Sequence, residues 1–300
     1  MSATVIRRSA RWGWLRWLRR DPRAALSLTW LVTLIVLGLL APVIAPFSPT
    51  AQNVNDMLLP PDGTHWLGTD DLGRDVFSRL LYGAPVALYA SILATVVAVV
   101  IGVPLGLLAG FVGGWADEVI GRLVDTVLSF PAIILAVGIT GALGVGLTNG
   151  MLAVGLVFSP VLARLVRSQS LVVRSELYVD AAQCFGASTS RILARHVLPN
   201  VVQPVIVQIT LLLAAALLAE ASLSFLGLGA QAPEPSWGGM LARAYSYMEV
   251  APEQMYPPGL AILLTALAFN ALGESLRVVL DPTMRHASFT YLVVYAHPTL

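Results

Sequence analysis

Two carboxylates, Asp125 and Glu220, fall inside long apolar runs, and their chemistry is the first thing the sequence must account for. An ionised group at membrane depth costs about 3 kcal/mol or more, so such acids are candidates for ion pairing, proton relay or solute contact. Asp125 stands three residues after Arg122, the spacing of a helical ion pair. Glu220 lies toward the outer end of its run. A structural ion pair or a water-facing helix end is preferred over solute contact for both. Other chemistries have less to work with. The four histidines, His65, His196, His286 and His297, are scattered without the spacing of metal ligands. They are expected at interfaces or on the surface, and no metal site is expected. The single cysteine, Cys184, rules out a disulfide within the chain. All 18 basic residues are arginine, whereas a P-loop needs a lysine to reach nucleotide phosphates. A motor of that type must sit on another polypeptide, and no catalytic residue is expected here.

The elements that position these groups follow from composition. Of 300 residues, 57% are hydrophobic and only 12% charged, about half the charge of a soluble domain. Mean hydropathy is +0.77. Lipid is the natural solvent for such a chain, and an all-α polytopic architecture satisfies its backbone there. A net charge of +1 gives no basic excess for nucleic acid. Crossing the hydrocarbon takes about 20 residues of helix, and six stretches approach that length: 25–47, 86–111, 120–141, 147–166, 204–225 and 258–276. Arginine placement sets the orientation. With the amino terminus inside, only Arg74, Arg79 and Arg243 lie outside, and the other fifteen of the 18 lie on the cytoplasmic side. Both termini are therefore expected in the cytoplasm.

Between the spans lie the segments that could meet partners. An Arg/Trp-rich arm, 1–24, suits either an interfacial helix on an anionic leaflet or the charged flank of the first span. An extracytoplasmic segment, 48–85, contains Thr69, Asp70 and Asp71 as helix-capping types. Val76, Leu80 and Leu81 then follow at helical spacing, which predicts a short amphipathic helix lying on the outer face. The cytoplasmic loop, 167–202, reads as a short helix, a break at Gly186, and a second helix ending near Pro199, with Ser188 or Ser190 as its cap. Ala181 and Ala182 leave room for another surface, and Gly186 is expected where a side chain would obstruct the turn. In the second span Gly102, Gly106 and Gly110 recur every four residues, which favours close helix packing; a hinge at Pro104 is the alternative. The tail, 286–300, has an apolar run too short to span.

The loop also resembles a known signature. Asp180, Ala181, Ala182, three positions, Gly186, nine positions, then His196, Val197, Leu198 and Pro199 are similar to the ABC-importer permease pattern, with Asp for the commoner Glu and His196 at an aliphatic position. The run 67–75, the stretch 220–229, Pro235–Gly238 and Asp281-Pro282 resemble C-type subunits of dipeptide, oligopeptide, glutathione and nickel importers. Pro85 and Ala87 depart from that pattern, as does the segment Glu253–Tyr256. The resemblance implies a type I permease core over 86–285 in a prokaryotic inner membrane, with the cytoplasmic loop coupling it to ATPase subunits. It implies a heterodimer with a homologous permease, two nucleotide-binding subunits that hold ATP and Mg, and an extracytoplasmic substrate-binding protein. Asp70, Asp71, Arg74, Asp75 and Trp237 would lie in the binding-protein contact region. A proton-coupled carrier using the intramembrane carboxylates is the rival.

Overall fold

The computed structural model describes residues 21–280; the first arm and the tail, including Asp281 and Pro282, lie outside them. Asp21 opens the first helix, α1 (Pro22–Ile44), its carboxylate accepting from the amides of Arg23 and Ala24 while a proline fills the first turn. Ala24, Ser27, Leu31, Leu34, Gly38 and Ala41 are its buried face, alternating three and four residues apart. Leu26, Leu39 and Val43 on the other side are at least 74% exposed, as a lipid-facing surface requires.

The next helix, α2 (Val76–Leu107), runs on through a π turn, Leu108–Val112. It starts ten residues before the expected span, and the residues assigned to a separate outer helix are its first turns. Pro85 does not end it. A side chain on Gly38 of α1 would lie 2.9 Å from the Pro85 ring, so α1 packs directly on the proline.

The third span is broken: α3 (Gly114–Leu128) and α4 (Ala132–Leu143) meet at 95°. Pro131, which has no amide hydrogen to donate, stands at the break. The pair links the inner end of α2 to the outer end of α5 (Leu147–Arg174). Two short cytoplasmic helices follow, α6 (Leu177–Cys184) and α7 (Thr189–Ile192). A π turn, Leu193–Val197, then joins α7 to α8 (Leu198–Phe225). On the outer face lies α9 (Trp237–Ser246), and α10 (Tyr256–Leu280) returns to the inside. Six crossings result when the broken pair is counted as one.

The packing spine is α2 against α5. Ala90, Ala94, Ala98, Gly102, Gly106 and Gly110 form one seam at steps of four, all buried. A step of four advances about 40° beyond a full turn, so the partner must cross obliquely. A Cβ on Gly102, Gly106 or Gly110 would lie 2.5–2.6 Å from the carbonyl oxygen of Ser159, Ala163 or Arg167 respectively. Those carbonyls are also four residues apart. Gly155 of α5 reciprocates, facing Val97 and the carbonyl of Ala94. In lipid there is little hydrophobic drive between helices, so such backbone contact carries the association.

Candidate functional site

The cytoplasmic loop is rooted in the inner core. Val179, Ile192, Val197 and Val201, each at most 1% exposed, cluster with Leu162, Val166 and Phe111 of the spans. Gly186 ends α6 at φ +78°: its amide donates to the Gln183 carbonyl at 2.9 Å, and the Ala187 amide to that of Ala182 at 3.0 Å. This is the Schellman pattern. Nothing lies within 4 Å of a Cβ built on Gly186. The left-handed backbone, not an obstruction, is therefore what requires glycine.

The loop's second half also differs from expectation. Ser188 stands at the start of α7 without a capping side-chain bond, and its hydroxyl faces that of Ser190 at 3.3 Å. No helix ends near Pro199, because Pro199 sits in the first turn of α8. The widened turn before it, with the Leu198 amide donating to Leu193, lets helical structure run from Thr189 into the span. His196 lies beside Tyr178, ring centroids 5.8 Å apart. Asn200 donates to the His196 carbonyl at 2.6 Å and to the Tyr178 hydroxyl at 3.4 Å. These contacts fasten α6 to the base of α8.

Large apolar side chains stand out on the loop's surface among exposed polar groups such as Glu176, Gln183 and Arg191. Leu177 is 84% and Phe185 91% exposed, with Tyr178 between them at 43%. Asp180, Ala181, Gly186, Leu198 and Pro199 are exposed, while Ala182 is half-buried against the core. Leu177 and Phe185 belong to no motif quoted above, and position in the sequence gave no sign of their exposure. Cys184 is a free, exposed thiol.

The outer segment is built in the opposite way. Asp70, Asp71, Arg74, Asp75 and Trp237 are all buried, at 9% exposure or less. Asp70 accepts from the Leu72 and Arg74 amides at 2.9 and 3.0 Å and from Arg74 Nε at 2.7 Å. Asp71 accepts from Arg243 of α9 at 2.9 Å. Asp75 caps α2 through the Ser78 amide at 2.7 Å and also meets His65 Nδ1 at 2.9 Å. Arg79 reaches back to the Pro49 carbonyl at 2.7 Å. Trp237 donates to the Leu80 carbonyl at 3.0 Å. The five residues thus shape the outer loop from within rather than present themselves on its surface. His65, expected at a surface, is 7% exposed, bonded to Asp75 and stacked on Phe47.

Of the two span carboxylates, Asp125 forms an ion pair as expected but with a different partner, and Glu220 departs from expectation. Asp125 pairs with Arg164 of α5 at 2.7 Å, whereas Arg122 pairs with Glu118 at 2.6 Å. Together with the Asp117–Arg167 pair, this pins the amphipathic α3 along the inner half of α5. Glu220 is neither ion-paired nor water-facing. It is 1% exposed and accepts from the Ser224 hydroxyl at 2.7 Å, its second oxygen having no partner among the described residues. Ser224 in turn accepts from the Ala230 amide at 3.2 Å, fixing the turn beyond α8. Among the described residues no three His, Cys, Asp or Glu side chains converge as metal ligands.

Comparison with known proteins adds a lineage to this geometry. Residues 102–286 match the family described as binding-protein-dependent transport system inner membrane component. Residues 12–61 match the N-terminal transmembrane domain of oligopeptide transport permease C. The glutathione transport system permease protein GsiD of Shigella flexneri is 43% identical over 275 residues, covering 91% of this chain and 90% of that protein. Its counterparts in Escherichia coli O157:H7 and Pectobacterium atrosepticum are 42% identical over the same share of each chain. Among solved structures, an inward-facing MetNI methionine ABC transporter chain superposes with a TM-score of 0.57 at 18% identity. That match covers 68% of this chain and 96% of the other, a likeness of fold.

Proposed function

Because this chain belongs to the family of inner-membrane components of binding-protein-dependent transport systems, and is the transmembrane permease subunit of an ABC importer, we propose that it imports short peptides or peptide-like solutes such as glutathione. We further infer that Asp180–Pro199 is where ATPase subunits grip it. The family's ATPase activity resides on separate subunits, so the permease must receive motion through a cytoplasmic surface. One observation carries the reading: Leu177 and Phe185 stand almost fully exposed on a loop whose other face is anchored at Val179, Ile192 and Val197. Large apolar side chains held out on a rooted helix suit a docking knob. Force on that knob reaches α8 through the Tyr178 contacts to His196 and Asn200, at the base of helical structure that is continuous from Thr189 to Phe225.

In this reading ATP and Mg are bound by two ATPase partners, a related permease completes the pathway, and an external binding protein delivers cargo to the outer loops. Asp70, Asp71, Arg74, Asp75 and Trp237 hold the receiving loop in shape. The peptide-like cargo follows from the similarity to the glutathione permeases. The test uses the native thiol. A photo-crosslinker on Cys184 in native membranes is expected to capture an ATP-binding subunit, and Phe185→Ala is expected to abolish that capture. Labelled Cys184 that captures no ATPase in membranes containing the assembled partners would sink the coupling assignment.

A further inference from the structure

Glu220 stands five residues before the last residue of α8, about 8 Å inside the helix end, and is 1% exposed. One of its oxygens accepts from the Ser224 hydroxyl at 2.7 Å, and the other has no partner among the described residues. A buried polar atom without a partner costs stability that an apolar side chain in its place would not. What the acid supplies and leucine cannot is the bond to Ser224. That bond is unusual for a helical serine, which tends to donate to the carbonyl four residues back. Ser222 of the same helix does so, to Leu218, and Ser91 of α2 does so, to Ala87. Glu220 therefore sets the direction of the Ser224 hydroxyl.

Ser224 is in turn the pivot of the outer rim. Its oxygen accepts from the Ala230 amide at 3.2 Å, and a Cβ on Gly229 would sit only 2.0 Å from it. Between those contacts the turn reaches across to α5. The Leu228 carbonyl accepts from the Gly146 amide at 3.2 Å, and Gly150 faces Leu223 and that same carbonyl. A cavity of about 630 Å³ opens on this junction, with Tyr89 of α2, Thr148 and Asn149 of α5, and Gln231 and Glu234 beyond the turn in its wall. Asn149 donates to the Leu143 and Gly144 carbonyls, and Gln231 to those of Gly227 and Gly229. The rim is thus tied together by hydrogen bonds. Glu220 does not line the cavity, so it acts on the rim through Ser224.

The other end of the same helical rod is the cytoplasmic loop. Helical structure runs over 37 residues from Thr189 to Phe225, about 55 Å. Packed helices switch by small slides past one another, and a slide of this rod carries Ser224 with it. We propose that Glu220 is a positioning residue for transport: by fixing Ser224 it fastens the outer rim to α8, so that movement of the cytoplasmic loop reshapes the outer cavity. The inference rests on the importer reading above and goes beyond it by naming the link between the inner loop and the outer rim.

The test uses the assembled transporter in nanodiscs. With Cys184→Ser to remove the native thiol, Thr148→Cys places a reporter in the cavity wall. Its alkylation rate is measured without nucleotide and with ATP plus vanadate, by mass spectrometry of its peptide, and is expected to differ between the two states. Glu220→Leu and Ser224→Ala should each shrink the ratio of the two rates about fivefold, the scale of one net hydrogen bond, and leave ATP hydrolysis unchanged. Glu220→Gln, whose amide oxygen still accepts from Ser224, should keep most of the ratio. A parent ratio that survives in both Glu220→Leu and Ser224→Ala overturns the proposal. So does a parallel loss of hydrolysis, the mark of a merely structural role. Where Glu220→Leu fails to assemble, Ser224→Ala decides alone. A parent thiol that reacts equally in both states overturns the importer reading and this inference with it, whereas a parent ratio untouched by the substitutions counts against Glu220 only.

Discussion

The outer loop and the cytoplasmic loop invert each other's use of residue type. Outside, Asp70, Asp71, Arg74, Asp75 and Arg79 are buried and joined to backbone and to one another. Inside, Leu177 and Phe185 are exposed. Buried charges cost desolvation that pairing offsets, and the outer loop supplies most of that pairing itself, with Asp71 Oδ1, Arg74 Nη2 and Arg79 Nε left without a hydrogen bond among the described residues. Exposed apolar surface gains only when something covers it, and in the proposed reading an ATPase subunit covers the inner loop. The glycines show the same contrast. At Gly73, φ +70°, a Cβ would sit 1.8 Å from the Asn53 carbonyl oxygen, while at Gly186, φ +78°, it meets open space.

The hardest way to break this contrast is to remove one buried charge. Arg74→Ala leaves Asp70 without its closest cation in a site it cannot escape, and is expected to destabilise the chain by about 3–5 kcal/mol. Thermal unfolding of the purified subunit in nanodiscs measures this. A melting temperature within a degree of the parent would mean that the cluster is dispensable.

Next comes Phe185→Ala, which should do the reverse. Stability is expected to stay within about 0.5 kcal/mol, because the ring touches little of its own chain. ATP-driven uptake should fall about thirtyfold, the scale of a lost anchor worth about 2 kcal/mol at an interface. Unaltered uptake would remove Phe185 from the contact.

The paired glycines sharpen the comparison at lower cost. Gly73→Ala meets both a forbidden approach and a left-handed backbone, and should cost about 2–3 kcal/mol. Gly186→Ala meets the backbone penalty alone, about 1 kcal/mol. Denaturation of the two variants side by side gives the order, and an equal loss would show that space at Gly73 is not limiting.

These features divide by range as to whether they were legible in the sequence. The apolar lengths and arginine asymmetry were enough for the architecture and its orientation, and the Gly102–Gly110 spacing pointed to a bare helix face. What escaped depends on distant partners. Pro85 looks like a helix boundary until Gly38 of α1 packs on its ring. The stretch 120–141 looks like one span, because Asp117 and Asp125 find their arginines on α5 rather than on their own helix. His65 looks like a surface residue without knowledge that Asp75 reaches it. Gln169 of α5 and Gln203 and Gln208 of α8 line one cavity from two helices, so no local pattern gathers them.

The smallest effect expected is electrostatic and again separates the two loops. Asp62 lies in the outer segment, where the amides of His65 and Thr64 donate to its carboxylate, the latter at 2.8 Å. Those donors hold it below its ordinary value of 3.8. A carboxyl whose folded value is depressed contributes stability that is fully present above the unfolded value and fades as pH falls through the folded one. Asp62→Asn should therefore flatten a shallow loss of stability below about pH 4 and leave the melting point at neutral pH nearly unchanged. Melting curves of the two proteins at matched ionic strength measure the difference. A slope that persists unchanged in the variant would show that Asp62 is not its source.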